Sequence, residues 1–165
     1  MTNPLSAAAR PDPAIYPLTL YYDGACPVCN GEMRNLMLRN TDGLLRFVDI
    51  SAPGFSSFPG GTDMAALMAL MHAKRADGQL AIGAEAIRLA YRGAQLGWLA
   101  RLMALPVLRQ ACDRVYPVFA RHRYRIPRPV ARLIFETALR RAAERRAGAS
   151  PCRASVCGMP EHREE

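Results

Sequence analysis

The sequence predicts an α/β fold, with a small mixed β-sheet, flanking helices and a helical extension towards the C-terminus. The apolar and aromatic run Leu18–Tyr22 predicts a buried strand, and the turn residues Asp23 and Gly24 separate it from a helical pattern. Residues 44–50 alternate as a second strand, and almost every apolar pattern after Ala84 has helical spacing. The strand–helix–strand order predicts two parallel strands joined by a right-handed crossover.

The first helix is predicted over residues 27–39. Pro27 suits the first helical turn, where its missing N–H costs no hydrogen bond. Cys29, Met33 and Leu36 then recur at the spacing of one helix face. The turn residues 40–43 end this helix before the second strand begins.

The middle of the chain predicts a short helix and a hairpin. A loop rich in proline and glycine covers residues 52–61, and Thr62 is the predicted cap of a helix over residues 63–70. Residues 71–75 and 79–82 flank an Ala-Asp-Gly turn signal, which predicts two antiparallel strands.

Four helices are predicted after the hairpin, over residues 84–91, 97–105, 107–122 and 128–146. We expect Pro117 to kink the third of them. On that helix Cys112 shares an apolar face with larger side chains and is expected to be buried and inert. Trp98 lies on another apolar stripe, for which a core position is predicted and a partner-binding or membrane-surface face is the alternative.

Length and charge limit the possible functions. A chain of 165 residues with 50% hydrophobic and 22% charged residues suits one globular domain. Most of the net charge of +8 comes from residues 121–146, with nine arginines and two glutamates, so we expect weak attraction of acidic partners to the arginine-rich C-terminal helices. The chain has no RNA-binding strand signature, which predicts no specific nucleic-acid function. It also has no run of about 18 apolar residues, which predicts no membrane span.

The cysteines indicate a redox or metal site in the cytoplasm. Their number, five, is odd, and prolines interrupt the N-terminus where a secretory signal would carry an apolar segment. A cytoplasmic location is therefore expected. In that compartment a Cys-x-x-Cys pair within a strand–turn–helix unit is more often catalytic or metal-binding than a structural bridge.

Cys26 and Cys29 are the candidate redox pair. Unpaired N–H groups and a partial positive charge at a helix N-terminus stabilise a thiolate, and can lower a cysteine pKa from about 8.5 to roughly 3.5–7.5. The helical pattern places Cys29 on the apolar face and leaves Cys26 at the exposed helix start. We therefore predict that Cys26 is the nucleophile and Cys29 the resolving thiol.

The segment Tyr-Asp-Gly-Ala-Cys-Pro-Val-Cys resembles the signature of the DCC family, an Asp-x-x-Cys-x-x-Cys pattern matched by Asp23, Cys26 and Cys29. Residues 47–50 resemble the second strand of the family, and residues 122–125 resemble an Asn-Arg-Tyr-Arg stretch near its end. The resemblance implies a thioredoxin-like fold and thiol–disulfide oxidoreductase activity. The implied partners are a protein or small-molecule disulfide or thiol, together with a reductant that the sequence does not identify.

Two acidic residues near the pair allow a functional and a structural interpretation. Asp23 either accepts the proton of Cys29 when that thiol resolves a mixed disulfide, or is a turn carboxylate that caps the first helix. Asp49 ends the second strand, where an acid commonly serves solubility and a catalytic role is the less favoured alternative.

A non-enzymatic zinc-binding or protein-interaction module is the alternative to an enzyme. Cys26 and Cys29 would form half of a zinc site, and Cys152 and Cys157, with His162 nearby, the other half, although their spacing fits poorly. The two tail cysteines are also candidates for a disulfide relay, or are incidental thiols. No glycine-rich dinucleotide fingerprint follows a strand, so no cofactor is predicted, and we predict no metal.

The predicted domain organisation has four parts. They are a flexible arm (1–16), a thioredoxin-like redox core (17–92), a helical extension packed on the core (93–147) and a flexible tail (148–165).

One departure from thioredoxin-like enzymes concerns substrate docking. Such enzymes generally place a cis-proline before the third strand, but this sequence has no proline between Pro59 and Pro106. Either another residue docks the substrate, or the partner is not an extended peptide.

Overall fold

The computed structural model describes residues 11–127 and residues 129, 130, 133, 136, 140, 143 and 144. It confirms the predicted α/β class. The strands are β1 (Leu18–Tyr22), β2 (Leu45–Asp49), β3 (His72–Lys74) and β4 (Leu80–Ile82). The helices are α1 (Pro27–Arg39), α2 (Met64–Ala69), α3 (Ala84–Gly93), α4 (Gly97–Ala104) and α5 (Pro106–His122). Two 3-10 turns cover Pro59–Gly61 and Arg123–Arg125.

The four strands form one mixed sheet in the order β2-β1-β3-β4. β1 and β2 are parallel, with Leu18 opposite Leu45, which confirms the predicted crossover pair. β3 runs antiparallel to both β1 and β4, as predicted for the hairpin. Because β1 and β2 are parallel, both carboxyl ends lie at one edge of the sheet, and α1 starts there.

The core lies around the two central strands. Leu18, Leu20, Met33 and Leu36 are fully enclosed, which fits the apolar face predicted for α1. Tyr16 joins this core, and its hydroxyl donates a hydrogen bond to the Leu89 carbonyl oxygen at 2.8 Å. Ordered packing thus begins before the predicted boundary of the arm, and residues 1–10 lie outside the described residues.

The cap of α2 differs from the prediction. Asp63 is the N-cap residue, and its carboxylate accepts the Ala66 N–H at 2.7 Å. The Thr62 hydroxyl instead donates to the Pro59 carbonyl oxygen at 2.8 Å. Thr62 was therefore the wrong cap, because the 3-10 turn before it takes up its hydroxyl group.

Helix α5 is more exposed than its sequence pattern predicts. Cys112 is half-buried, and Val115 on the same face is 61% exposed. Trp98 on α4 is 65% exposed. The core positions predicted for Cys112 and Trp98 are therefore wrong. For Cys112 the reason is that the apolar face of α5 borders an open cavity instead of a packed layer.

An ion pair fixes α5 against α3. The guanidinium of Arg88, which is buried, lies 2.9 Å from the Asp113 carboxylate. α5 continues through Pro117 to His122. The described residues between 129 and 144 are helical, and the remainder of that predicted helix lies outside the described part of the chain. No helix within the described residues is both long and apolar enough to cross a membrane.

Candidate active site

A tight turn joins β1 to α1 and is held from two sides. The Gly24 N–H donates to the Asp49 carboxylate at 2.9 Å, and the Asn30 side-chain amide donates to the Gly24 carbonyl oxygen at 3.1 Å. A Cβ atom at Gly24 would overlap the Asp49 carboxylate, so this close approach requires glycine. The turn therefore depends on contacts from both β2 and α1.

Asp49 has a structural position in this turn. It also accepts hydrogen bonds from the Ser51 N–H at 2.8 Å and the Ser51 hydroxyl at 2.6 Å. Burial alone would raise the pKa of Asp49, but the hydrogen bonds from Ser51 and from the Gly24 N–H hold that pKa below its usual value. The roles predicted for Asp49 were solubility and, as the less favoured alternative, catalysis. The sequence did not indicate that its carboxylate anchors the turn.

Asp23 is buried between the turn and the C-terminal part of the described chain. One carboxylate oxygen accepts the Ala25 N–H at 2.9 Å, and the other accepts the Tyr124 hydroxyl. The N-cap residue of α1 is Cys26, so the helix-capping alternative for Asp23 is wrong although its turn hydrogen bond is present. The role of Asp23 as a proton acceptor stays a prediction.

Cys26 and Cys29 meet at the first turn of α1. The Cys29 N–H donates to Cys26 Sγ, with 3.4 Å between nitrogen and sulfur, and both thiols are free. Pro27 occupies the first helical turn, as predicted. Cys26 and Cys29 thus lie in one hydrogen-bonded turn, and a disulfide between them would close a small ring.

The exposed position predicted for Cys26 is wrong. Its side chain is 0% exposed and packs with Val28 and Ile126, whereas Cys29 is half-buried. Ile126 directly follows the 3-10 turn Arg123–Arg125, which contacts α1. The cover comes from about one hundred residues further along the chain, so the local helical pattern could not indicate it.

The two thiols have opposite electrostatic environments. The hydrogen bond from the Cys29 side chain, followed by the N–H groups of Cys29 and Val28 and the charge of Arg123, lowers the pKa of Cys26 to about 6 despite burial. The same side-chain hydrogen bond, together with burial, raises the pKa of the Cys29 thiol. These opposite shifts favour a thiolate on Cys26 and a thiol on Cys29.

Arg123 and Tyr124 belong to the site but received no role from the sequence. Arg123 is 5% exposed; its Nη2 donates to the Met68 carbonyl oxygen at 2.6 Å, and its guanidinium carbon lies 5.1 Å from the Tyr124 ring centre. The Tyr124 hydroxyl reaches Asp23, which ties this 3-10 turn to the end of β1. The sequence did show that residues 122–125 resemble a stretch of the family, but that resemblance did not assign a role to Arg123 or Tyr124.

A cavity of about 510 Å³ opens beside the pair. Its wall includes Cys29, Asp23 and Arg123, and it extends between α1, α2, α3 and α5. Glu32 also lines it, and burial raises the pKa of this carboxyl group. The site therefore combines a reactive pair with a space large enough for a small molecule.

The zinc alternative depends mainly on residues outside the described structure. Cys152, Cys157 and His162 all lie in the C-terminal stretch that is not described. Within the part of the chain that the structure describes, no three His, Cys, Asp or Glu side chains come together as a metal site. The zinc site and the tail relay both stay hypotheses.

A β2-β1-β3-β4 sheet with a Cys-x-x-Cys pair at the start of the first helix defines a thioredoxin-like protein with a helical extension. The model of one family, described as DCC1-like thiol-disulfide oxidoreductase, matches residues 20–129. The chain belongs to this family, which confirms the resemblance found in the sequence and supports a general thiol–disulfide oxidoreductase role.

A curated relative from Arabidopsis thaliana is similar over much of the chain. The two are 34% identical over 137 residues, covering 81% of this chain and 64% of the relative, whose name describes it as uncharacterized and chloroplastic. The match therefore covers less than two thirds of the length of that protein. No solved structure matches the chain.

Proposed function

We propose that Cys26 and Cys29 cycle between a dithiol and a disulfide in a thiol–disulfide oxidoreductase. The observation that carries the proposal is the hydrogen-bonded pair at the N-terminus of α1, with a pKa of about 6 for Cys26 beside a Cys29 that keeps its proton. A thiolate is the attacking species in disulfide exchange, and a thiol of low pKa is also the better leaving group. Cys26 is suited to both parts.

The reaction exchanges two electrons between the pair and a partner thiol or disulfide. When the pair reduces a disulfide, a mixed disulfide forms on one cysteine and the other displaces the reduced product, which closes the Cys26–Cys29 bridge. When the pair oxidises thiols, the same steps run in reverse. An external partner then restores the starting state.

Asp23 is the proposed proton acceptor for Cys29. It is buried and lines the same cavity as Cys29. The hydrogen bond with Cys26 and burial are the main causes that raise the pKa of the Cys29 thiol, and the negative charge of Asp23 adds to them. A buried carboxylate close to a thiol that must lose a proton is suited to general-base catalysis. The cytoplasmic location and the attraction of acidic partners to the C-terminal helices also stay proposals.

Equilibration of the full chain in glutathione redox buffers tests the proposal, with peptide mapping by mass spectrometry to locate each bridge. We expect a reversible Cys26–Cys29 bridge whose potential lies above about −270 mV, because a stabilised thiolate favours the reduced form. A double variant with serine at Cys152 and Cys157 serves as the control and should form the same bridge. Absence of the bridge, with zinc retained by the two thiols, would exclude the proposed chemistry.

A further inference from the structure

The sulfur that is proposed to attack substrate is enclosed in this structure. Cys26 is 0% exposed, and it does not line the cavity beside the pair. Two reacting atoms must approach to within about 3–3.5 Å before a bond forms between them. A substrate sulfur cannot come that close to an enclosed Cys26. Exchange at this residue therefore requires part of the structure to move.

The cover over Cys26 comes from a segment late in the chain. Within the described residues, the apolar cluster around Cys26 consists of Val28, Cys29 and Ile126. Val28 and Cys29 belong to the first turn of α1, directly after Cys26, whereas Ile126 follows α5 and its 3-10 turn. We call residues 123–126, which comprise this turn and Ile126, the cover segment.

The turn beneath the cover segment is held firmly. The Gly24 N–H donates to the Asp49 carboxylate at 2.9 Å, and the Asn30 side-chain amide donates to the Gly24 carbonyl oxygen at 3.1 Å. Cys26 is also the N-cap of α1 and accepts the Cys29 N–H. A displacement of Cys26 would break these hydrogen bonds. The cover segment is therefore the part that moves.

The cover segment itself is fixed mainly by side chains. The Ile126 N–H donates to the Arg123 carbonyl oxygen at 3.4 Å, so this backbone hydrogen bond stays within the segment. Arg123 Nη2 donates to the Met68 carbonyl oxygen at 2.6 Å, and the Tyr124 hydroxyl donates to Asp23. Tyr124 is 51% exposed and Ile126 is half-buried. Short, partly exposed segments of this kind open locally at a low cost in free energy.

We infer that the cover segment is a lid and that Ile126 controls the access of a substrate sulfur to Cys26. The inference rests on the proposed function and adds the step that precedes exchange. In the closed state, Ile126 packs against Cys26 and the Tyr124 hydroxyl holds the segment to Asp23. In the open state, the Tyr124–Asp23 hydrogen bond is broken and substrate reaches the Cys26 sulfur.

Alkylation of the reduced full-length chain by iodoacetamide measures this access. The reaction is followed at about pH 8.5, well above the Cys26 pKa of about 6, so that the rate reports access to the sulfur and not the thiolate fraction. Peptide mapping with fragment spectra assigns each adduct to its cysteine. Only the rate at Cys26 is compared between proteins.

A matched set of variants tests the lid. Ile126→Ala removes the side chain that covers Cys26, and Tyr124→Phe removes the hydroxyl that reaches Asp23. Ile82→Ala is the control, because it removes the same atoms from a 44% exposed isoleucine on β4. We expect Ile126→Ala and Tyr124→Phe each to raise the alkylation rate at least about tenfold, and Ile82→Ala to leave it unchanged. Thermal unfolding of each variant checks that the fold is retained.

The wild-type protein supplies a test that needs no variant. The same chain unfolded in guanidinium chloride gives the rate of an uncovered Cys26, and both rates are divided by the thiolate fraction. A fall in pKa from 9.0 to about 6 lowers nucleophilicity by about fifteen- to thirtyfold on its own. We expect the native protein to react more than about thirtyfold more slowly than the unfolded chain, because the cover adds to this effect.

The outcomes separate the lid from the proposed function. A native rate within about thirtyfold of the unfolded rate overturns the lid. So does a folded Ile126→Ala whose rate rises less than about tenfold, or no more than that of Ile82→Ala. If either result accompanies a reversible Cys26–Cys29 bridge in glutathione buffers, the oxidoreductase stands without a lid. If no bridge forms, the proposed function fails, while the alkylation rates still decide whether the segment controls access to Cys26.

Discussion

Replacing Cys29 by alanine should raise the pKa of Cys26. The Cys29 side chain is the largest cause that lowers this pKa from 9.0 to about 6. Alanine removes that donor but keeps the backbone N–H of residue 29, which lies 3.4 Å from Cys26 Sγ. Serine at the same position keeps a hydroxyl donor, so Cys29→Ser is the matched control.

The size of the effect follows from the strength of the hydrogen bond. A pKa lowered from 9.0 to about 6 corresponds to about a thousandfold higher ratio of thiolate to thiol at fixed pH. A hydrogen bond to a charged group contributes about 1.5–3 kcal/mol, which is roughly a ten- to hundredfold change in that ratio. Cys29→Ala should therefore remove a large part of the stabilisation. The N–H groups and Arg123 retain the rest.

Ultraviolet absorbance of the thiolate, measured against pH on the reduced protein, gives this pKa directly. The method does not require a reagent to reach Cys26, which matters because its side chain is enclosed. The same titration of a matched protein that also carries Cys26→Ser is subtracted, so that the signals of Cys112 and the tail cysteines cancel.

The reasoning is refuted by either of two results. An unchanged Cys26 pKa in Cys29→Ala would show that the backbone and Arg123 suffice without the side-chain donor. An equal rise in Cys29→Ser and Cys29→Ala would show that the hydroxyl does not replace the thiol as donor. In both cases the low pKa of Cys26 needs a cause other than the hydrogen bond from the Cys29 side chain.

Three further predictions concern the same site. As the pH rises, the reduction potential should fall by about 59 mV per pH unit below pH 6 and by about 30 mV per pH unit above it. The reason is that the reduced pair binds two protons below the Cys26 pKa of about 6 and one proton above it. Reduction potentials measured from pH 5 to 8 check this slope. Gly24→Ala should lower the free energy of unfolding by about 1–3 kcal/mol in urea, whereas Gly97→Ala, with open space around it, should not. Tyr124→Phe should cost about 1–3 kcal/mol in the same assay, since it leaves the buried Asp23 carboxylate without its hydroxyl donor.

The elements that position the pair could be predicted because their signals are local. An apolar run, an Asp-Gly turn and a proline in the first helical turn define the end of β1 and the start of α1 within about a dozen residues. The parallel pairing of β1 with β2 then follows from chain order and the handedness of the crossover.

The burial of Cys26 could not be predicted because its cause is distant in sequence. Ile126 and Tyr124 contact the motif but follow the whole sheet and five helices along the chain. The helical pattern showed which residues share a face with Cys29, but not what covers Cys26. The same limit applies to α5, since an apolar stripe does not reveal whether its face is packed or borders a cavity.

The protonation of the pair and its placement together favour the oxidising direction in the proposed reaction. In the reducing direction, Cys29 must attack a mixed disulfide on Cys26. This attack requires loss of a proton that its environment holds, because the pKa of this thiol is raised. The enclosed Cys26 thiolate stabilises the reduced pair without being open to solvent. In the proposed reaction, the low pKa of Cys26 and the raised pKa of Cys29 therefore favour a pair that accepts electrons from thiols.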